Sequence, residues 1–336
     1  MHNYSYQDSK YIVNKALQRI SNYIHKTPIV KSESLDNITG HKIVFKAESL
    51  QKTGAFKVRG VLNHLLHVKE NGQLPQKVVA YSTGNHGIGV AFACKKLGIK
   101  ARIYLPQDTA LLKQQQCMHL NAEVIFTKTR KEAEEKALDD STNGDFYYLH
   151  PSDSQQTIAG AGTVCLEALN QIDKKIDAIF ASCGGGGLLS GCYLAKEEFE
   201  QTPQPLIIGA EPECANDAYL SIHQNKIYKF ENSPNTIADG LKTLNISERT
   251  FKYLNKLDDF ITISEDEIKY WTIWLIHLLK IMVEPSCAIS MAAAYQWLKK
   301  QNEPKNILVI LSGGNIDPQV LSALLNNNYL MSEPRL

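Results

Sequence analysis

The sequence feature that most constrains the fold is a regular alternation of short apolar runs with amphipathic segments. Strand-like runs and helix-like segments follow one another at 77–82, 87–97, 101–105, 110–119, 123–127, 130–138 and 145–149. Successive parallel strands need a crossover connection, which is usually a helix. Alternation at this spacing therefore predicts an α/β fold, with parallel sheets flanked by helices.

The alternation restarts beyond residue 150. Further helices and strands are predicted at 158–172, 178–182, 188–199, 206–211, 264–279, 288–299 and 306–311, and a strand at 41–47 and helices at 6–24 and 56–66 precede the first unit. The stretch 212–249 has little periodicity, and so much irregular chain is usually functional. The order predicts a small α/β domain, 73–151, inserted in a large domain formed by 1–72 and 152–336. A ligand site is expected in the interdomain cleft.

Composition excludes several classes of partner. With a net charge of +1 and 21% charged residues, the chain has no electrostatic pattern for nucleic acid or an anionic membrane. It has no signal-peptide pattern and no run of ~20 apolar residues, so a cytoplasmic location and a small-molecule partner are expected. The seven cysteines are scattered without a CxxC pair, which argues against a disulfide framework and a structural zinc site.

Four consecutive glycines, 184–187, stand between an apolar strand and a helix. Such a run lets several backbone N–H groups converge on an anion, and the helix N-terminus adds to the attraction. The run lacks both the GxGxxG dinucleotide pattern and the GK[ST] ending of a P-loop. It therefore predicts a phosphate site of another kind, and the alternative is a flexible turn.

Two further polar loops follow predicted strands. The loop STGNHG, 82–87, offers hydroxyl, amide and imidazole groups suited to a carboxylate or a ring hydroxyl. The loop LSGGN, 311–315, contains Ser312, which either caps the following segment or contacts a ligand. Because the carboxyl ends of parallel strands meet at one edge, these loops are expected near the four glycines.

Lys57 lies in the stretch ESLQKTGAFKVRG, where a predicted strand gives way to a helix. A lysine at a helix start is usually a solvated charge, slightly unfavourable against the helix dipole. Together with a phosphate site and a polar loop, however, it suggests pyridoxal phosphate. The aldehyde of that cofactor needs a lysine amine, and its phosphate needs backbone donors.

Five motifs in this order, ESLQKTGAFKVRG, STGNHG, CGGGGL, IADGL and SGGN, resemble those of the fold-type II (tryptophan synthase β-like) pyridoxal-phosphate enzymes. The histidine of STGNHG resembles the serine/threonine dehydratase and serine racemase branch. The resemblance implies that Lys57 forms the Schiff base with the cofactor, that Phe56 packs under its ring and that Asn85 binds the ring hydroxyl. It also implies that the phosphate is bound by Gly184, Gly185, Gly186 and Gly187, and that Ser312 contacts the pyridine nitrogen. It places Ser82, Thr83 and His86 around the substrate carboxylate.

The activity that the resemblance implies is an ammonia-lyase (dehydratase) reaction. L-Threonine, L-serine or a related 3-hydroxy amino acid would displace Lys57 from its aldimine, lose its α-proton to the freed lysine, and eliminate the β-hydroxyl to give a 2-oxo acid and ammonia. Ser312 makes the cofactor a milder electron sink than a carboxylate would, which suits elimination. A homodimer or homotetramer is expected.

Three alternatives stay open. A serine racemase on the same scaffold would use Thr83 as the base on the second face of the cofactor. A 3-hydroxyaspartate dehydratase becomes plausible if Arg130 points into the cleft rather than to the surface, because it would bind a second carboxylate. A non-catalytic pyridoxal-phosphate-binding protein is the alternative from another class.

The same branch contains metal-dependent members. In the stretch EPECAND, the side chains of Glu211 and Asp217 and the carbonyl of Ala215 match their cation site. Oxygen ligands of this kind suit Mg²⁺ or Ca²⁺. Two solvated carboxylates with no bound metal are the alternative.

Overall fold

A computed structural model of the protein describes residues 11–82 and 84–334. The strands are β1 (Ile29–Lys31), β2 (Lys42–Ala47), β3 (Lys77–Tyr81), β4 (Lys100–Pro106), β5 (Glu123–Thr127), β6 (Tyr147–Tyr148), β7 (Ala178–Ser182), β8 (Leu206–Pro212), β9 (Asp259–Ile263) and β10 (Asn306–Leu311). The helices are α1 (Ile12–Ile20), α2 (Glu33–Thr39), α3 (Lys57–Glu70), α4 (Asn85–Leu97), α5 (Leu111–His119), α6 (Arg130–Asn143), α7 (Gln155–Leu169), α8 (Gly187–Glu198), α9 (Asp217–Gln224), α10 (Glu248–Leu254), α11 (Glu265–Leu279), α12 (Pro285–Leu298) and α13 (Pro318–Leu325).

Two sheets organise the chain. The larger has the strand order β1-β2-β10-β7-β8-β9 and is parallel except for β1, which pairs antiparallel with β2. The smaller has the order β5-β4-β3-β6 and is parallel throughout. The predicted α/β class with parallel sheets is confirmed.

Helices cover both faces of each sheet because successive strand residues point to opposite sides. In the larger sheet, Phe180 packs with α11 and α12, whereas its neighbour Ile179 packs with α7 and α8. In the smaller sheet, Val78 packs with α3 and α4, and Val79 packs with α6. Strands buried on both faces explain why the apolar runs were continuous rather than alternating.

All four strands of the smaller sheet lie within residues 73–151. The domain boundaries predicted on either side of this segment stay a prediction. Among the described residues, no helix combines the length and apolar character needed to cross a bilayer. The first part of the helix predicted at 6–24 lies outside the described residues, and the described part is helical at Ile12–Ile20.

The stretch 212–249 is less irregular than its sequence indicated, because it contains α9. Within this short helix Ala218 is buried, and Tyr219 and Ile222 pack against the core of the larger sheet. Its first turn is held by the Glu211 carboxylate, which accepts hydrogen bonds from the N–H groups of Ala218 and Tyr219 over 3.2 and 2.9 Å. Because this cap comes from Glu211 on β8, the local sequence pattern of α9 does not indicate it.

Candidate active site

One cavity brings the predicted loops together. Its lining includes residues from both sheets and their loops: Phe56, Lys57, Ser82, Asn85, His86, Arg130, Gly184, Gly185, Gly186, Gly187, Glu284 and Ser312. The predicted cofactor residues therefore share one cavity with most of the predicted substrate residues. Thr83, the predicted second-face base, lies outside the described residues.

Lys57 is the first residue of α3 and lines the cavity. Its Nζ donates a hydrogen bond to the carbonyl oxygen of Pro151 over 3.2 Å and lies 5.1 Å from the ring centroid of Phe56. Burial, reinforced by the nearby Arg130 guanidinium, lowers the pKa of Lys57 to about 8. Near neutral pH a useful fraction of this amine is therefore uncharged and nucleophilic.

A buried ion-pair network holds the start of α3. The Arg59 guanidinium, two residues beyond Lys57, donates to both carboxylate oxygens of Glu48 over 2.7 and 2.8 Å and to Glu167 over 3.0 Å. Lys46 pairs with Glu167 over 2.6 Å. Because these charges are buried, they must stay paired, which fixes the helix that carries Lys57.

The four-glycine run, Gly184–Gly187, leads directly into α8. Gly186 has a φ of 79°, and a Cβ there would lie 2.9 Å from atoms of Leu254 and Thr250. A Cβ on Gly185 would collide with the Ser152 hydroxyl. The first N–H groups of α8 have no partners within the helix, so the loop is suited to bind a phosphate. The residues present fit the phosphate of pyridoxal phosphate.

Ser82 is held by the helix that follows it. Its hydroxyl oxygen accepts hydrogen bonds from the N–H groups of Gly84 and Gly87 over 2.8 and 2.9 Å. These bonds satisfy donors at the start of α4, and they leave the Ser82 hydroxyl proton free to be donated. Ser82 thus has a structural task, and it retains the donor that its predicted contact with a carboxylate requires.

His86 is oriented by the backbone that follows β6. Its Nε2 lies 3.0 Å from the carbonyl oxygen of Leu149, which can only accept, so Nε2 carries the ring proton. Nδ1 is buried without a hydrogen-bond partner. Burial, with a contribution from Lys57, lowers the pKa of His86 to about 3. The neutral ring offers an acceptor rather than a donor, which suits a substrate hydroxyl better than the predicted carboxylate.

Asn85 and Ser312 both line the cavity. The Asn85 amide nitrogen donates to Glu284 over 2.6 Å, and its oxygen accepts from Asn315 over 2.9 Å. One N–H of Asn85 stays available to a ligand. Ser312 is 5% exposed, and its hydroxyl suits a ring nitrogen.

Arg130 is half-buried and lines the cavity, so it is not a plain surface arginine. Its Nη1 donates to the carbonyl oxygen of Lys242 over 3.1 Å, and its guanidinium lies 5.5 Å from the ring centroid of Tyr81. The five N–H donors of a guanidinium exceed what this one bond uses. The remaining donors are suited to a carboxylate on a ligand.

The predicted metal ligands are all buried, which excludes two solvated carboxylates. Asp217 Oδ1 accepts from the Thr243 hydroxyl over 3.0 Å, whereas its Oδ2 is buried without a partner. Burial and repulsion from Asp217 raise the pKa of Glu211. Within 11–82 and 84–334, no three His, Cys, Asp or Glu side chains are grouped to hold a metal. The predicted set has only two carboxylates, and its third ligand is the carbonyl of Ala215.

Sequence reasoning did not find Ser152 and Glu284, which line the cavity, or Lys113, which contacts Glu284 from behind it. Glu284 precedes the proline that begins α12, a common helix-start pattern that carries no functional signal. Lys113 and Glu284 contact each other across 171 positions of sequence. No local motif indicates such a contact.

Comparison with known proteins was consistent with this geometry. Residues 20–313 match the family model described as pyridoxal-phosphate dependent enzyme. Serine racemase from Dictyostelium discoideum is 38% identical over 94% of this chain and 97% of its own length. L-threo-3-hydroxyaspartate ammonia-lyase from Saccharomyces cerevisiae is 34% identical over 93% and 94%. The crystal structure of T.th. threonine deaminase superposes with a TM-score of 0.85 at 37% identity, covering 94% of this chain and 99% of that one.

Proposed function

The chain belongs to the family of pyridoxal-phosphate dependent enzymes, and on that basis we propose that it is an ammonia-lyase. Its substrate would be L-serine, L-threonine or a related 3-hydroxy amino acid, and its products a 2-oxo acid and ammonia. The observation that carries the proposal is Lys57, an amine with a pKa of about 8 in the same cavity as the glycine run 184–187. Release of 2-oxo acid from a panel of 3-hydroxy amino acids tests it.

Each cofactor contact would come from a residue suited to it. Gly184–Gly187 would bind the phosphate through backbone N–H groups, and Lys57 would supply the amine that attaches the cofactor. Asn85 would donate to the ring hydroxyl, Ser312 would contact the ring nitrogen, and Phe56 would pack against the ring. When bound, pyridoxal phosphate supplies an electron sink that stabilises negative charge at the substrate α-carbon.

The chain's own residues would then handle the substrate and its protons. Neutral Lys57 would take the proton from the α-carbon, and its lowered pKa increases the fraction of the amine that can accept one. The Ser82 hydroxyl would donate to the substrate carboxylate. His86 Nδ1 would accept a hydrogen bond from the substrate hydroxyl and orient it. Protonated Lys57 would then give its proton to the hydroxyl oxygen, so that the group leaves as water.

Serine racemisation is a second candidate, supported by the similarity to serine racemases. It requires a proton donor on the second face of the cofactor, and Thr83 is the residue we propose for it. Wild-type protein, Thr83→Ser and Thr83→Ala, assayed for D-serine beside pyruvate, separate the two activities. Racemisation predicts that D-serine formation falls in Thr83→Ala while pyruvate release continues.

Action on 3-hydroxyaspartate is a third candidate, favoured by the position of Arg130 in the cavity. If Arg130 binds a second substrate carboxylate, Arg130→Gln should raise KM for 3-hydroxyaspartate without a similar rise for serine. Arg102→Gln is the control, because Arg102 pairs with Glu123 and Asp140 instead. Equal changes for both substrates would remove this candidate.

We also propose that Glu211, Ala215 and Asp217 bind Mg²⁺ or Ca²⁺. The support is the buried, unpartnered Asp217 Oδ2, because an orphaned carboxylate oxygen is costly unless a proton or a cation satisfies it. Hard divalent cations prefer such carboxylate and carbonyl oxygens.

A further inference from the structure

A buried lysine outside the proposed chemistry lies behind the cavity. The Lys113 side chain, on α5, is 1% exposed. Its Nζ donates to Asp239 over 2.7 Å and to Glu284 over 3.1 Å. Although burial disfavours its charge, these two carboxylates hold the pKa of Lys113 above its ordinary value. The ammonium group is therefore retained, and it links α5 to two separate loops.

Glu284 connects this lysine to the cavity. Its Oε2 accepts from Lys113, and its Oε1 accepts from the amide nitrogen of Asn85 over 2.6 Å. Burial raises the pKa of Glu284, and the Lys113 ammonium opposes that rise. Lys113 thus stabilises a charged acceptor, which makes the hydrogen bond from Asn85 stronger than one to a neutral group.

Asn85 is held at both ends of its amide. Asn315 donates to its oxygen over 2.9 Å while Glu284 accepts from its nitrogen, so the amide cannot turn over without losing both bonds. The remaining N–H of Asn85 is consequently fixed in direction. Asn85 itself lines the cavity.

The surrounding backbone makes room for this chain of contacts. Gly84 has a φ of 148°, and a Cβ there would collide with Cδ of Lys113. A Cβ on Gly313 would collide with Oε1 of Glu284. The absence of a side chain at Gly84 thus leaves room for Lys113, and its absence at Gly313 leaves room for Glu284.

We propose that Lys113 is a positioning residue that acts on the bound cofactor through Glu284 and Asn85. This inference rests on the proposed function, in which Asn85 donates to the ring hydroxyl of pyridoxal phosphate. Lys113 keeps Glu284 charged and in place, Glu284 fixes the Asn85 amide, and the free N–H of Asn85 meets the ring oxygen in a set direction.

The test measures pyridoxal phosphate binding to the full chain and the position of the visible absorption band of the bound cofactor. Lys113→Met should weaken binding ~10-fold and shift the band, because the Asn85 acceptor loses its charge and its support. Lys196→Met is the matched control, since Lys196 is also largely buried and paired with a carboxylate, Asp258, and does not line the cavity. It should lower stability and leave the band and the affinity within ~3-fold of wild type.

Two double variants keep the test valid if Lys113→Met does not fold. Lys113→Met with Glu284→Gln removes the buried charges but keeps a carbonyl acceptor for Asn85, whereas Lys113→Met with Glu284→Leu removes the acceptor as well. The Gln variant should bind the cofactor ~10-fold more tightly than the Leu variant. Equal affinities and identical bands would overturn this inference alone. Failure of wild-type protein to bind pyridoxal phosphate would overturn the proposed function, and this inference with it.

Discussion

The backbone N–H of Phe56 donates a hydrogen bond to the carbonyl oxygen of Ser312 over 3.0 Å. An antiparallel bridge between Ala55 and Gly313 flanks this bond. The residue next to Lys57 is thereby tied to the residue proposed for the ring nitrogen. The two sides of the proposed cofactor site therefore keep a fixed separation, although they come from opposite ends of the chain.

The rate at which apo-protein takes up pyridoxal phosphate should rise with pH through about 8. Only the neutral Lys57 amine attacks the aldehyde, and with a pKa of about 8 its neutral fraction grows from about 10% at pH 7 to about 90% at pH 9. Stopped-flow absorbance of the visible band measures the uptake rate at each pH. A midpoint near the ordinary lysine value of 10.5 would contradict the burial argument.

Arg130→Gln should move that midpoint to higher pH. The positive charge of Arg130 lowers the pKa of Lys57, so its removal makes the lysine harder to deprotonate. The same uptake measurement across pH checks this. Arg102→Gln, which removes an arginine outside the cavity, should leave the midpoint in place.

Gly186→Ala should abolish tight cofactor binding. Both Gly186 and Gly98 have positive φ, so alanine at either costs ~1–2 kcal/mol of backbone strain. Only at Gly186 does the new Cβ also meet neighbouring atoms, at 2.9 Å, in the proposed phosphate loop. Titration should show affinity reduced ~10-fold or more for Gly186→Ala and unchanged for Gly98→Ala. Equal affinities would count against the phosphate assignment.

Arg59→Met should lower the free energy of unfolding by ~3–5 kcal/mol, because it leaves the buried Glu48 carboxylate without its cation. Urea unfolding measures the change. The comparison is Arg102→Met, whose partner Glu123 is 55% exposed, and which should cost no more than ~1 kcal/mol. Similar losses in the two variants would show that the buried network does not anchor α3 as described.

Mg²⁺ or Ca²⁺ should raise the melting temperature of the wild-type protein. A ligand at 100 times its Kd stabilises the folded state by ~2.7 kcal/mol. Asp217→Asn should lose this response, and Glu213→Gln, at an exposed position two residues from Glu211, should keep it. A response that survives in Asp217→Asn would place any metal elsewhere, and its absence in wild type would remove the site.

The sequence predicted those parts of the structure that depend on residues close together in the chain. The alternation that predicts β3 to β6 and the four glycines before α8 are both local patterns. The contact between Lys113 and Glu284 joins residues 171 positions apart, and only the folded chain reveals it. The ring orientation of His86 likewise depends on a carbonyl 63 positions away, just beyond β6.

The central claim is that Lys57 carries a lyase reaction, and 2-oxo acid release tests it most directly. Wild-type protein, Lys57→Ala and Lys52→Ala, each supplied with pyridoxal phosphate, would be assayed with L-serine and L-threonine. Lys52 is an exposed lysine in the same loop and serves as the control. The account predicts 2-oxo acid release by wild type and Lys52→Ala, and none by Lys57→Ala. Release that survives in Lys57→Ala, or that is absent from wild type with every 3-hydroxy amino acid tried, would contradict it.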